Sequence, residues 1–561
     1  MKDLTAAAAA APPPVVYELE KDQTKLSIAD GEIEEGSMAD SGLRDVLNKS
    51  ELVFVWCGLL LMSTINYLNV STLFTFSVYA LSDFSRASAE GALNTALGVV
   101  GIAIQAPLAI SMKYFHKFDI CLVIVALAVV GSVIEAATPS LAGYFVGFTL
   151  NLVGTMSARF LIFYLPAELS NARHRTLALN FAQFPMMVSL LAGPPITEAI
   201  LDRLGWRWGY GIFAIVIPAS NILLFAMLFV FRRRIVSQLR PVRNSRATAF
   251  FKALRDIDLI GLFLIIVGSA LFLFPIPLES RGVDYYDTVA VITPTTIGAV
   301  ILIVFVVWEL RFAKNPLFER RLLTNPSVIG CMATAICNYA AQQISVTYIY
   351  TWIIVASDYS ISKASYLSLV SGITSPVFGV VVGAYVSWAK RGKWSLVICN
   401  AALVLGAVLQ YVFINPETQQ SLVILSQVAI GLGFVGSITA LSIAQALGKR
   451  EDLPALTALY LVLANLSGGV SSSIAGGLWT SLLLKYLKDV LPSSIVSQAD
   501  DIMGSVDTAT GFEWGSQERD AISLAYQKSF KVQMVALLIA AILGLLISIP
   551  IKNVELEESE N

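Results

Sequence analysis

The chain has 561 residues, 56% of them hydrophobic and 14% charged, with a mean hydropathy of +0.71 and a formal net charge of −2. That composition excludes an ordinary soluble protein, and the near-neutral balance excludes the basic field that a nucleic-acid partner requires. An all-α integral membrane protein embedded in a lipid bilayer remains.

Residues 1–50 hold an Ala run, Pro12 to Pro14 and an excess of Asp and Glu. They cannot bury enough apolar area to offset their ordering entropy and read as a disordered tail. The Ala run is too short and too weakly hydrophobic for a cleaved signal peptide. A helix needs about 20 apolar residues to cross a bilayer. Fourteen such segments follow, with cores near 52–80, 91–112, 118–137, 141–165, 176–200, 209–231, 257–277, 289–310, 327–351, 364–387, 394–413, 421–445, 455–484 and 530–550. With the N-terminus in the cytoplasm, every short basic connection lies inside: Lys113 and Lys117, Arg173 and Arg175, Arg232 to Arg255, Arg311 to Arg321, Lys390 to Lys393, and Lys449 with Arg450. This agrees with the positive-inside rule. The polar segment 485–529 is then an outer loop, and 551–561 is a second cytoplasmic tail.

An ionisable residue inside a span is costly and usually faces a cavity or a partner. Arg159, in the fourth span, is a candidate counter-charge for an anionic substrate, the plainer reading being a side chain snorkelling to the head groups. Glu135 and Glu198, near the outer ends of the third and fifth spans, are the candidate carriers of a coupled proton, or else wetted helix-end residues. The ninth span is rich in amides and aromatics: Asn338, Tyr339, Gln342, Gln343, Tyr348, Tyr350 and Trp352. Asn338, Gln342 and Ser345 share a face at i, i+4 and i+7. Such a face suits a large oxygenated ligand, or hydrogen bonding between helices. Asn66 and Asn69 of the first span and Gln427 of the twelfth are further candidates. The two histidines lie in loops, and the five cysteines lie in apolar spans without metal-site spacing. No nucleophile and base pair, phosphate loop or metal cluster is present in the sequence, so neither an enzyme nor a cofactor is expected.

The stretch from Asn465 to Thr480 reads N-L-S-G-G-V-S-S-S-I-A-G-G-L-W-T, and Glu513 to Tyr526 reads E-W-G-S-Q-E-R-D-A-I-S-L-A-Y. N-Y-L-N-V-S-T-L-F-T-F-S-V-Y-A in the first span, A-E-L-S-N-A-R-H-R at Ala167 to Arg175, G-W-R-W-G-Y-G at Gly205 to Gly211, D-L-I-G at Asp258 to Gly261 and A-K-R-G-K-W at Ala389 to Trp394 complete the pattern. The chain resembles the fungal siderophore-iron transporters, a 14-span branch of the major facilitator superfamily.

That resemblance implies a six-helix half over 51–231, a basic cytoplasmic loop over 232–256, two inserted helices over 257–325, and a second six-helix half over 326–550. Spans 1, 4, 9 and 12 would line the central cavity. It also implies import of an already chelated iron by alternating access, coupled to protons, in a monomer at the plasma membrane, or at a vacuolar or endosomal one. Trp514, Arg519 and Tyr526 match the outer-loop motif and would offer stacking and charge to a chelate in capture or gating. The chain departs from the family where Asn69 and Leu73 replace an Asp and an Arg, and where S-M-K-Y-F-H-K stands for G-x-x-x-D-R-x-G-R. Gly193-Pro194-Pro195 is expected to be a helix break rather than an export signature. The competing expectations are an exporter or exchanger of drugs, glutathione, haem or other organic anions, and a membrane receptor that does not transport.

Overall fold

The computed structural model describes residues 47–84, 90–238, 246–273, 289–357, 359–414 and 420–556. Among them the chain is helical: α1 (Lys49–Asp83), α2 (Glu90–Ala103), α3 (Gln105–Tyr114), α4 (Lys117–Ala137), α5 (Leu141–Leu169), α6 (Ala172–Gln183), α7 (Pro185–Arg203), α8 (Trp206–Gln238), α9 (Arg246–Asp256), α10 (Leu259–Leu273), α11 (Val289–Val307), α12 (Arg320–Thr324), α13 (Pro326–Thr347), α14 (Ile349–Ala356), α15 (Ile361–Ala389), α16 (Lys393–Phe413), α17 (Gln420–Leu447), α18 (Leu453–Val490), α19 (Ala499–Gly504), α20 (Val506–Thr510) and α21 (Gln517–Ser548). The tail expected over 1–50 lies almost wholly outside the described residues.

Among the described residues, twelve helical stretches are long and apolar enough to cross a membrane. Two of the expected fourteen segments are not among them. One is α10, described for 15 residues. The other is α13, whose Asn338, Gln342 and Gln343 dilute an otherwise apolar run of 22. Several expected single spans are broken in two. Pro107 lacks an N–H and crowds the carbonyl four residues earlier, which separates α2 from α3 at Ile104. Pro185 opens α7 where its missing N–H costs nothing, directly after α6. The break between α13 and α14 falls at Tyr348, with φ −120° and ψ 6°.

The helices pack in two groups. In the first, α1 lies against α7 and α8, and α4 lies against α5 and α8. Gly154 is needed there, since a Cβ on it would stand 2.5 Å from the Ala128 nitrogen. In the second, α13, α16, α17, α18 and α21 surround one another, with α15 against α17. Helices α10 and α11 pair, and α10 rests on α2. Ile215, Ile222, Ile303 and Val381 are exposed along their helices, as lipid-facing positions require. Trp388 and Trp394, also exposed, flank the basic turn Lys390 to Lys393, where an interfacial aromatic belt falls. Past α21 the chain turns back, and the Leu556 N–H donates to the Lys390 carbonyl at 2.9 Å.

The segment 485–529, expected as a polar loop, is largely helical and folded. Helix α18 continues to Val490, and α19 and α20 bury Ala499, Ile502 and Ala509. The apolar residues spaced among its polar ones supply that small core.

Candidate functional site

The two groups meet tightly at the end that carries the basic loops. Residues Val435–Gln445 of α17 and Leu453–Val462 of α18 are all buried, and so is every residue of α5 from Gly154 to Leu169 except Arg159. Gly383 lets α15 touch the backbone of α6, since a Cβ on it would lie 2.5 Å from the Leu177 Cα. Around that contact the Arg173 Nε donates to the Ser387 carbonyl at 2.9 Å, and Thr176 meets Ser442 at 2.7 Å. Arg175, 1% exposed, donates to the Ala167 carbonyl at 3.3 Å and to the Gln445 carbonyl at 3.0 Å. It thereby places one cation on the negative ends of two helices, one from each group. Lys117 pairs with Glu168 at 2.6 Å, and Arg321 pairs with Asp452 at 2.5 Å. Burial pushes the Glu319 carboxyl up, but hydrogen bonds from Arg321 and Lys113 outweigh it and hold that group below its ordinary value. In mid-span α7 of the first group also packs against α15 of the second, with Leu190 beside Gly372. The molecule is therefore closed at its basic end.

Arg159 sits just beyond this closure, on the face of α5 that looks toward the second group. Its guanidinium donates to the Tyr339 hydroxyl at 3.1 Å and to Asn465 Oδ1 at 3.5 Å. Both partners are neutral, and among the described residues no carboxylate pairs with it. Tyr339 is held edge-on by Phe434 and Tyr460. The Asn465 amide in turn donates to the Gly101 carbonyl at 2.9 Å, beside the break in the second span. One cation thus joins α5, α13 and α18, with α2 reached through Asn465.

Asn66 and Asn69 do not face α13. The Asn66 amide donates to the Thr155 carbonyl at 3.1 Å, and the Asn69 amide reaches Asn151 Oδ1 at 3.3 Å and Thr155 Oγ1 at 3.1 Å. Both line a cavity of about 20 Å³ within the first group, enough for roughly one water. Asn151 also donates to Glu135 Oε2 at 2.8 Å. Glu135, fully buried, therefore ends a polar chain running from α4 through α5 to α1. Glu198 lies instead on the exposed face of α7.

The i, i+4, i+7 face of α13 points into its own group. Asn338 and Ser345 are fully buried, Ser345 donates to Gln410 at 3.1 Å, and Gln342 donates to Ser371 at 3.2 Å. Gln427 is buried as well. Gln343, half-buried, shares a face of α13 with Tyr339 at i+4. Tyr348 stacks on Trp479 at 4.6 Å, and Tyr526 meets that indole edge-on at 5.4 Å. The Tyr526 hydroxyl donates to the Ile502 carbonyl at 3.0 Å. Arg519, 4% exposed, donates to the carbonyls of Ala509 and Ile354, and its guanidinium lies 5.6 Å from the centre of the exposed Trp514 ring. These contacts fasten α19 to α21 and, through Arg519 of α21, α20 to α14. A larger cavity, about 210 Å³, lies at the closed basic end and is lined by Lys113, Tyr114, Asp256, Asn315 and Glu319, none of them among the candidates.

Residues 59–474 match the Major Facilitator Superfamily. MFS siderochrome iron transporter C of Aspergillus fumigatus is 26% identical over 95% of this chain and 88% of its own length. Siderophore iron transporter mirC of Emericella nidulans is 24% identical over 94% and 88%, and Siderophore iron transporter 1 of Schizosaccharomyces pombe is 28% identical over 82% and 75%. Among solved structures, a peptide transporter in complex with alafosfalin aligns with a TM-score of 0.53 at 14% identity, covering 93% of this chain and 99% of its own. A POT family transporter in complex with 5-aminolevulinic acid aligns with a TM-score of 0.52, also at 14%, covering 89% and 96%.

Proposed function

We propose that this chain, which belongs to the Major Facilitator Superfamily, is a secondary transporter that imports an iron–siderophore complex by alternating access. The observation that carries this reading is Arg159, a cation at the junction of the two helix groups whose hydrogen-bond partners among the described residues are neutral. An uncompensated charge is expensive to keep inside a membrane protein unless something polar comes to it. A chelate entering from the end opposite the basic loops would reach Arg159 and Tyr339 at the junction of the groups, with Gln343 on the same face of α13. The substrate class is taken from the relatives, which are siderophore or siderochrome iron transporters.

Protons are the proposed coupling ion. Glu135 is the proposed carrier, because it is the buried acid tied to the wall between α1 and α5. One charge crossing the membrane potential supplies about 2.3 kcal/mol per 100 mV. In this reading the basic end is cytoplasmic, α10 and α13 complete a set of fourteen spans, and 257–325 forms an insertion between two six-helix halves. The membrane is the plasma membrane and the working unit is a monomer. Uptake of labelled ferric siderophores by iron-starved cells expressing this chain tests the proposal. Accumulation that rises with expression and collapses with a protonophore supports it. Loss of preloaded chelate or glutathione from the same cells would instead favour an exporter.

A further inference from the structure

Helix α9 and its approach are strongly basic. Arg240, Arg243, Arg246, Lys252 and Arg255 occur within 240–256, against the single acid Asp256. Asp256 is turned inward, where it accepts hydrogen bonds from the Tyr114 hydroxyl and, at 3.4 Å, from the Asn315 amide. Ala253, 4% exposed, faces the same way. On the outer side Phe251 is 68% exposed, with Leu254 beside it, while Lys252 and Arg255 occupy the adjoining exposed arc. Beyond the one-residue link at Ile257 and the cap at Asp258, the apolar side continues into exposed Leu259, Ile260 and Phe263 of α10. An exposed apolar strip flanked by cations and running into a lipid-facing helix is the pattern of a segment lying in a membrane interface.

We propose that α9 is an interfacial anchor that binds anionic phospholipid in the leaflet at the basic end. Phe251 and Leu254 would enter the acyl boundary, and Lys252 and Arg255 would meet the head groups. Clusters of four to eight cations beside a membrane helix recognise such lipids. The cavity on the inner side of α9 is not the lipid site, since it carries the carboxylates of Asp256 and Glu319. The tie from Asp256 to Tyr114 connects the anchor to α3, so the lipid would be felt at the closed end.

The test uses the full chain with Cys57→Ala and Leu254→Cys, spin-labelled at position 254 and reconstituted into vesicles of phosphatidylcholine alone or mixed with phosphatidylserine. The proposal expects the label to favour dissolved oxygen over a water-soluble nickel quencher as phosphatidylserine is added. The double variant Lys252→Glu with Arg255→Glu should raise the phosphatidylserine content needed for half-protection roughly tenfold or more. Lys252→Arg with Arg255→Lys, which keeps both charges, should restore it and controls for misfolding. Equal protection in both vesicle types, unchanged by charge reversal, would overturn the proposal, because packing alone would then hold the helix. Protection that needs added cytosolic protein would overturn it as well.

Discussion

The Arg159 guanidinium and the Tyr339 hydroxyl meet at 3.1 Å across the junction of the two helix groups. Among the described residues neither is paired with an opposite charge, so within the membrane interior this neutral contact and Asn465 are what satisfy the guanidinium. Any conformational change that parts the groups must break the contact.

Removing the charge is therefore expected to separate substrates by their own charge. Arg159→Gln should weaken binding of a carboxylate-bearing chelate by roughly 1–3 kcal/mol, the scale of a hydrogen bond to a charged group, and leave a neutral chelate almost unchanged. Guanidinium charge persists at any physiological pH, so the discrimination should not vary with external pH. Competition binding with charged and neutral ferric chelates measures it, and equal losses for both would refute the role.

A second prediction concerns closure at the basic end. A Cβ on Gly383 would lie 2.5 Å from the Leu177 Cα, and backbone cannot move aside as a side-chain tip can. Gly383→Val should wedge α6 from α15 and bias the molecule toward opening at that end. Thiol labelling of a Ser442→Cys reporter should become faster in the variant. Unchanged labelling would mean that the closure does not depend on this contact.

The membrane class and most span positions were legible because hydropathy alone defines them, and Arg159 stood out as a charge amid apolar residues. The direction in which Asn66 and Asn69 point was not, because a helical face has no address until its neighbours are known; here the neighbour is α5. Arg175 read as one more loop cation and is instead buried on two helix ends. The break at Tyr348 carries neither Pro nor Gly, so tertiary packing against Trp479 is the remaining signal, and that is invisible in one dimension. The outer segment looked polar because its buried residues, Ala499, Ile502 and Ala509, are scattered singly.

Tyr526 separates gating from scaffolding. It is 1% exposed, packs against Trp479 and donates to the Ile502 carbonyl. Tyr526→Ala should cost about 3–5 kcal/mol, as loss of a buried aromatic does, and should reduce surface abundance. Tyr526→Phe forfeits only a hydrogen bond, about 1 kcal/mol, and should keep abundance. If Tyr526→Phe also keeps transport at normal surface level, the residue holds the folded segment. If it abolishes transport there, the hydroxyl takes part in gating.

The last prediction tests Glu135 as the coupling acid. The buried carboxylate accepts from Asn151 at 2.8 Å, and Asn151 and Thr155 connect it to Asn69 on α1. A glutamine at this position can still accept from Asn151 through its carbonyl, so the packing of α4 on α5 is preserved while the exchangeable proton is lost. Glu135→Gln should then retain chelate binding and downhill exchange of labelled for unlabelled chelate. Accumulation against a gradient should fall to the level reached with a protonophore. Asn151→Ala, which removes the donor and its link to α1, should instead impair both modes, since it leaves a buried carboxylate without its partner. Proteoliposomes with an imposed pH gradient measure the two modes in one preparation. Gradient-driven accumulation by Glu135→Gln at the unsubstituted rate would exclude Glu135 and turn the search to Glu198, the exposed acid on α7.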